Sequence, residues 1–364
     1  MTERCLLIGY ALNSKKMRSS VSEHGPCQGT TWHGGGLADI LTGVYASEEE
    51  EYGVRFEVWD PSIPMDKQPK FDVIVHKLTE ELCSTEEAGD LAPIKIDKIS
   101  CLEDYLAANP TCKIIDPITA VRRVMSREVT CKMIAEITEK RSRQCDIRQP
   151  AWFVTKEWTA SSIVELMRRN GIDFPIICKP VVGCGTPSSH QLVVAVSQEG
   201  LAQQLASKGT QREGLLVQKF HNHGGYFLKV YVIEDDVMVF KRPSLPNLSS
   251  PQLKSIGFDS RFAYPTIDDF LPGVGTAQQT VLQARGGKCC GDPLPSLNHK
   301  LRNVASAIRE EFGLSLFGFD VIISSDERVD EEILVVDVNY FPSFKEVADF
   351  PRRFFKFCRD RSSR

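Results

Sequence analysis

The chain has 364 residues, 42% of them apolar and 25% charged, with a formal net charge of −4 at pH 7. That composition suits a globular protein large enough for two or three units with sizeable cores. The mild acidity argues against a nucleic-acid binder, which carries a strong basic excess, yet leaves room for a small basic pocket. No apolar run nears the length of a membrane span, and Met1-Thr2-Glu3-Arg4-Cys5 leads into a strand and not into a secretory hydrophobic region. The twelve cysteines form no CxxC pair. Reduced thiols in the cytoplasm are the simplest expectation, with the nucleus left open.

Leu6-Leu7-Ile8-Gly9-Tyr10 predicts a first strand, with Ser14-Lys15-Lys16 beyond its end. Residues 18–36 read as a polar, glycine-rich loop, Leu37 to Glu51 as a helix, and Val54 to Trp59 as a second strand. Phe71 to Lys77 predicts a third strand ending on His76 and Lys77. A helix over Cys101 to Asn109 and a short strand over Lys113 to Asp116 follow. This alternation predicts a small parallel α/β domain over residues 1–115. Ligands of such sheets sit beyond the carboxyl ends of the strands, where Lys16, His76 and Lys77 fall.

Residues 116–364 read as a second, mostly antiparallel unit. Ala120 to Thr138 predicts one helix carrying Arg122, Arg123 and Arg127. Phe174 to Pro180 is a strand delivering Lys179. A loop of small residues, Val182 to His190, separates it from a strand over Gln191 to Val196. Gly214 to Phe220 is a strand ending on Gln218-Lys219-Phe220, followed by His221-Asn222-His223-Gly224-Gly225. A hairpin runs from Tyr226 to Ile233 and back from Val237 to Arg242. Residues 245–296, rich in Pro, Ser, Gly and Gln, show no sustained period and read as a variable insertion. Leu297 to Phe312 carries an apolar stripe of Leu301, Val304, Ala305, Ile308 and Phe312, the pattern of an amphipathic helix.

The strongest chemical signal lies in two final strands, Leu316 to Ile323 and Ile333 to Pro342, joined by a polar loop over Ser324 to Glu332. Each places a carboxylate among apolar neighbours, where a charge needs a partner. Asp337 and Asn339 are two apart and share a face, and strand pairing can set Asp320 beside them. Three hard oxygen ligands suit Mg²⁺ better than zinc, and Mg²⁺ held by few protein groups completes its shell with water and phosphate oxygens. The pattern points to a Mg-nucleotide. Lys179 with the small-residue loop suggests phosphate contact, although neither GxxxxGK[ST] nor GxGxxG is present. The Gln218-Lys219-Phe220 strand end can offer backbone groups to an adenine edge. Lys229, mid-strand among apolar residues, needs an anion unless it lies on a solvated edge. No nucleophile triad stands out, so metal, positioning and positive charge are the expected means of catalysis.

The ordered motifs are similar to one known family. They comprise Gly9-Tyr10-x-Leu12-x-x-Lys15-Lys16, Ile74-Val75-His76-Lys77-Leu78-Thr79, Asp116-Pro117 with Arg122, and Cys178-Lys179. Gly185-Thr186 with Ser189-His190, Gln218-x-Phe220-x-Asn222-His223 and Arg242-Pro243-Ser244-Leu245 follow. Ser315-Leu316-Phe317-Gly318-x-Asp320 and Asp337-x-Asn339-x-Phe341-Pro342 complete the set. Over about residues 5–350 the chain resembles the inositol 1,3,4-trisphosphate 5/6-kinase (inositol-tetrakisphosphate 1-kinase) family. The resemblance implies an α/β and α+β architecture: an ATP-grasp fold of two lobes behind an N-terminal α/β domain. It implies Mg²⁺, a pair of ions to a site, on Asp320, Asp337 and Asn339. It implies ATP as co-substrate on Arg122, Lys179, the run Gln218, Lys219, Phe220 and His221, and Ser244. It gives the inositol polyphosphate to Lys16, Lys77, His190, Lys229 and Asn339. Ser343 stands where the family commonly has glycine, beside that substrate, and residues 18–36 exceed the usual length.

The expected activity is therefore an ATP-dependent inositol polyphosphate kinase, with Lys229 and Arg242 as catalytic cations, acting as a monomer without nucleic acid or membrane partners. Two alternatives stand beside it. A carboxylate–amine ligase of the same fold would share the nucleotide residues but would not need cations from both domains. A catalytically silent inositol-phosphate sensor would not need an intact Asp320, Asp337 and Asn339.

Overall fold

The computed structural model describes residues 4–12, 40, 45–84, 97–141, 147–207, 214–250, 252–273, 295–324, 332–347 and 349–363. The first unit contains β1 (Leu6–Leu12), α1 (Ala46–Tyr52), β2 (Val54–Val58), β3 (Val73–Lys77), α2 (Thr79–Ser84), α3 (Lys98–Ala108) and β4 (Lys113–Ile115). Its four strands run parallel in the order β2-β1-β3-β4. Val73, Ile74 and Val75 are wholly buried, as expected of an inner strand covered on both faces. The predicted loop over 18–36, the first part of the predicted helix and Lys16 lie outside the described residues.

Next come α4 (Ile118–Val124) and α5 (Arg127–Arg141), where the sequence predicts a single helix. The break has a physical cause. Met125 and Ser126 leave the helix to pair with the segment after Lys179: Arg127 N donates to Val181 O at 2.8 Å and Gly183 N to Met125 O at 2.7 Å.

The central lobe comprises β5 (Trp152–Thr155), α6 (Ala160–Arg169), β6 (Ile176–Pro180), β7 (Gln191–Ala195), α7 (Gln198–Ala206) and β8 (Leu215–Lys219). Thr159 and Ser197 cap α6 and α7 by accepting from Ser162 N and Gly200 N. Two further strands, β9 (Tyr226–Ile233) and β10 (Asp236–Pro243), form a hairpin, and β11 (Ile256–Asp259) then returns to the central lobe. The central sheet has the order β11-β7-β6-β8-β5, all antiparallel. The described part of 245–296 is thus no structureless insertion. It supplies an edge strand, and Leu245, Leu248, Ile256, Phe258 and Phe270 pack with Leu192, Val194 and Phe220 in a core of their own. Four residues are too few for a periodic signal, which is why the sequence hid this strand.

The chain closes with α8 (Pro295–Phe312), β12 (Leu316–Ile323), β13 (Ile333–Tyr340) and α9 (Phe350–Ser362). The last sheet has the order β10-β9-β12-β13. One core joins it to the first unit. Ile8, Val73, Ile115, Val230, Phe317, Phe319, Val338, Phe350 and Phe354 belong to a single cluster, and the Phe56 and Phe354 rings stack at 5.9 Å. The central lobe has separate cores. Among the described residues no helix is long and apolar enough to cross a membrane.

Candidate active site

Strand register builds the site. Asp320 pairs with Lys229 on one side and with Asp337 on the other; Gly318 pairs with Tyr231 and Asn339. Directly opposed residues share a face, and so do residues two apart along a strand. Lys229, Asp320, Asp337, Asn339 and, on β10, Arg242 therefore share one face of the C-terminal sheet. The other face carries Val230, Phe317, Phe319 and Val338 into the core. A bulge follows Asp320, since Val321 pairs with Val335. It leaves Val336 out of the ladder, and the Val336 carbonyl accepts a hydrogen bond from Lys179 Nζ of the central lobe at 3.0 Å. Gly318 is required in this surface: a Cβ there would sit 2.9 Å from Val230 O and 3.1 Å from Pro342 Cγ.

The anticipated carboxylates are thus together. Lys229 Nζ donates to Asp320 Oδ1 at 2.6 Å, and Asn339 Nδ2 to Asp337 Oδ2 at 3.1 Å. Lys229 is on an inner strand, so the solvated-edge reading fails. Burial raises the pKa of Asp320; Lys229 pulls it down and the Asp337 charge pushes it up again. Two partly buried carboxylates in mutual repulsion, with an amide oxygen alongside, are the donor set that a hard divalent cation stabilises. Among the described residues no three of His, Cys, Asp and Glu stand together as a metal cluster.

Lys179 is 7% exposed. It donates to Gln218 Oε1 at 2.9 Å as well as to Val336 O. Burial lowers its pKa, while Asp337 favours the charged form. Gln218 is buried beside it. Lys219 and Phe220 follow, but their backbone N–H groups are engaged by Ala151 O and Pro175 O, so those amides are not on offer to a base. His221 O accepts from His223 Nδ1 at 2.7 Å, and Ser244 Oγ lies 2.8 Å from His223 Nε2. Arg242 pairs with Glu346 and donates to Tyr231 Oη at 3.0 Å.

From the first unit, Lys77 Nζ donates to Phe341 O, in the turn beyond Asn339. Phe341 has φ +39°, and Ser343 is partly buried two residues on. His76 does not face the site, contrary to its place at the strand end. It is wholly buried and bonded to Asp116 O at 2.7 Å, with Tyr340 Oη donating to His76 O at 2.7 Å. Asp116 Oδ2 accepts from Ser315 N and Leu316 N, both at 2.9 Å. This seam joins the first unit to the last sheet.

His190 enters from the central lobe at the start of β7. Arg127 braces the loop that leads to it: Nη1 donates to Pro180 O at 2.7 Å and Val182 O at 3.0 Å, and Nη2 to Ser189 O at 3.0 Å. The sequence supplied no signal for this role beyond the presence of an arginine within the predicted helix. Gly185, at φ +89°, comes so close to the first unit that a Cβ would sit 2.7 Å from Thr79 O. Arg122 stays exposed on α4, outside the cluster.

Two antiparallel lobes face each other across Lys179, Gln218, Asp320 and Asp337, with a parallel α/β domain ahead of them; this is an ATP-grasp protein. The fold agrees with D-cycloserine synthetase DcsG (TM-score 0.56, 12% identity, 98% of this chain and 99% of that one). It agrees equally with D-alanine–D-alanine ligase from Bacillus anthracis (TM-score 0.55, 11% identity, 98% and 96%). The inositol 1,3,4-trisphosphate 5/6-kinase ATP-grasp domain matches residues 141–360 and the pre-ATP-grasp domain of the same family residues 40–121. The chain belongs to that family. Inositol-tetrakisphosphate 1-kinase 5 of Oryza sativa subsp. japonica is 29% identical over 349 residues, covering 95% of this chain and 87% of the relative. Inositol-tetrakisphosphate 1-kinase of Danio rerio is 28% identical over 301 residues, covering 82% and 69%.

Proposed function

We propose that the chain is an ATP-dependent kinase that phosphorylates a ring hydroxyl of inositol tris- and tetrakisphosphates. The observation that carries this reading is the shared face of Lys229, Asp320, Asp337, Asn339 and Arg242, opposed by Lys179 and approached by Lys77 from the first unit. Asp320, Asp337 and Asn339 would hold Mg²⁺, as a pair of ions. When bound, the metal neutralises phosphate charge and favours phosphoryl transfer. Lys179 and Gln218 then hold the nucleotide phosphates in place, with Lys219, Phe220, His221, Ser244 and Arg122 as further ATP residues. Lys229, which donates to Asp320 in this structure, would be the cation nearest the metal ligands to meet a substrate phosphate. Arg242 stabilises charge developing on the transferred group. Lys77, His190, Asn339 and Ser343, together with Lys16, grip the inositol phosphate and turn one hydroxyl toward the nucleotide.

A carboxylate–amine ligase would have little use for Lys77 and Lys229 converging from separate units on one pocket. A silent sensor would have little use for two intact opposed carboxylates. A monomer in the cytoplasm completes the reading. The test is release of ADP from ATP on adding a panel of inositol tris- and tetrakisphosphates. Release with one or more of them, metal-dependent, is expected. Release only with a carboxylic acid and an amine would establish the ligase instead.

A further inference from the structure

We infer that Arg261 is a further phosphate-binding residue of this site, one that selects inositol phosphates bearing a phosphate on the His190 side of the ring; the inference rests on the kinase reading above. Its basis is the edge strand that the sequence concealed. β11 pairs antiparallel with β7, Asp259 opposite Gln191. The chain leaving β11 therefore runs beside the chain entering β7. Ser260 N donates to His190 O at 2.9 Å, and Ser260 Oγ lies 3.4 Å from His190 Nδ1. Arg261 is the next residue.

Its guanidinium is held from behind. Nε lies 3.0 Å and 3.2 Å from the two oxygens of Asp259, and Nη2 lies 2.5 Å from Oδ2. Asp259 is 4% exposed and is itself oriented by Gln191 Nε2 at 2.7 Å and by the Arg261 N–H at 2.9 Å. This grip uses the Nε edge. Nη1 has no hydrogen-bond partner among the described residues, and the side chain is 41% exposed. What a buried acid does for such an arginine is fix the direction of its remaining donors, the arrangement that favours forked recognition of phosphate.

The neighbouring cations are differently employed. Arg127 is spent on three carbonyls, Arg242 is paired with Glu346, and Lys229 with Asp320. Burial and then the Arg261 charge lower the pKa of His190. Arg261 thus supplies the permanent charge on that flank of the pocket. A tris- or tetrakisphosphate presents more phosphates than Lys77 and Lys229 can neutralise, and Arg261 is placed to take another.

The test uses Arg261→Ala and Arg261→Gln in the full chain, with binding of inositol hexakisphosphate and of Mg-ATP measured separately by calorimetry. Loss of one charge-assisted phosphate contact predicts about tenfold weaker binding of the hexakisphosphate, with Mg-ATP affinity unchanged. The effect should shrink at high salt. Glutamine can keep a hydrogen bond to Asp259, so it separates loss of charge from loss of local structure if the alanine variant melts lower. Unchanged hexakisphosphate binding in both variants overturns the inference, as does an equal loss of Mg-ATP affinity, which would make Arg261 a nucleotide residue. The wild type discriminates the two readings. Tight hexakisphosphate binding without turnover of any inositol phosphate removes the kinase while leaving Arg261 as a phosphate residue. Normal turnover with unaffected variants removes Arg261 alone.

Discussion

The C-terminal sheet and the central lobe carry complementary halves of one site but are anchored very differently. The C-terminal sheet shares a continuous core with the first unit, sealed by Tyr340, Asp116 and His76 and by the aromatic stack of α9. The central lobe folds around two small cores of its own. It meets the rest through polar contacts such as Lys179 to Val336 O and Arg127 to the loop before His190, and through Tyr264, whose ring lies between Phe258 and Phe227. The proposed metal ligands and the cations Lys77 and Lys229 thus sit on the fixed half. Lys179, Gln218 and His190, proposed to meet the nucleotide and the substrate, ride on the half that has its own cores. Substrate-induced closure of an active site calls for that division.

The sharpest way to break the comparison is to disable the fixed half alone. Asp337→Asn should lower kcat by about 10²-fold or more, with nucleotide binding weakened less and the melting temperature retained. Near-normal kcat would remove the carboxylate assignment.

The seam offers a second test, through pH. Burial holds His76 down at about 4, so its folded pKa lies below the unfolded one. Its contribution is present above pH 6.5 and is lost as pH falls toward 4. Burial pushes Asp116 up to about 6, against the pull of Leu316 N and Ser315 N. Its contribution is present below pH 4 and is lost as pH rises through 6. Each effect integrates to roughly 3 kcal/mol at most, and over pH 4–6 they oppose each other. Wild-type stability should therefore vary little across that window. Asp116→Asn should expose the His76 slope, with melting temperature falling on acidification from pH 6.5 to 4. A variant as flat as the wild type would show that the seam does not carry these charges.

Lys77→Ala and His190→Ala compare the halves directly. Each should raise KM for the inositol phosphate by roughly tenfold and leave KM for ATP alone, as befits a charge-assisted or buried hydrogen bond worth about 1.5 kcal/mol. An equal effect on both substrates would mean that the two halves do not share one polyanion pocket. The smallest effect belongs to Ser343→Gly. Ser343 follows the Phe341 turn that Lys77 holds. Removing its side chain should change the ratio of kcat/KM between inositol phosphates by a few-fold, within the roughly 1–3 kcal/mol available to one pocket contact. Unchanged ratios would place Ser343 outside the pocket.

The fixed half was the legible one. Long strands with carboxylates among β-branched residues announce both their structure and their need for partners, so Asp320, Asp337, Asn339 and Lys229 were readable, as was the parallel first sheet. What the sequence concealed depends on distant pairing. Nothing local marks Met125-Ser126 as a helix break, because its cause is the chain beyond Lys179. The strand Ile256–Asp259 gains its identity from β7, and with it Arg261 comes beside His190. His76 looked like a ligand residue at a strand end and is instead consumed by the seam. Glu346, the partner of Arg242, lies 104 positions away, beyond any spacing rule.

The most direct measurement follows the terminal phosphate of ATP onto the ring. With ATP labelled at the γ-phosphate, Mg²⁺ and an inositol tris- or tetrakisphosphate, the label should appear in an inositol carrying one more phosphate ester, in stoichiometric balance with ADP, and should fail to appear with Asp337→Asn. Label recovered only as inorganic phosphate, or no turnover by a wild type that binds both ligands, would contradict a kinase.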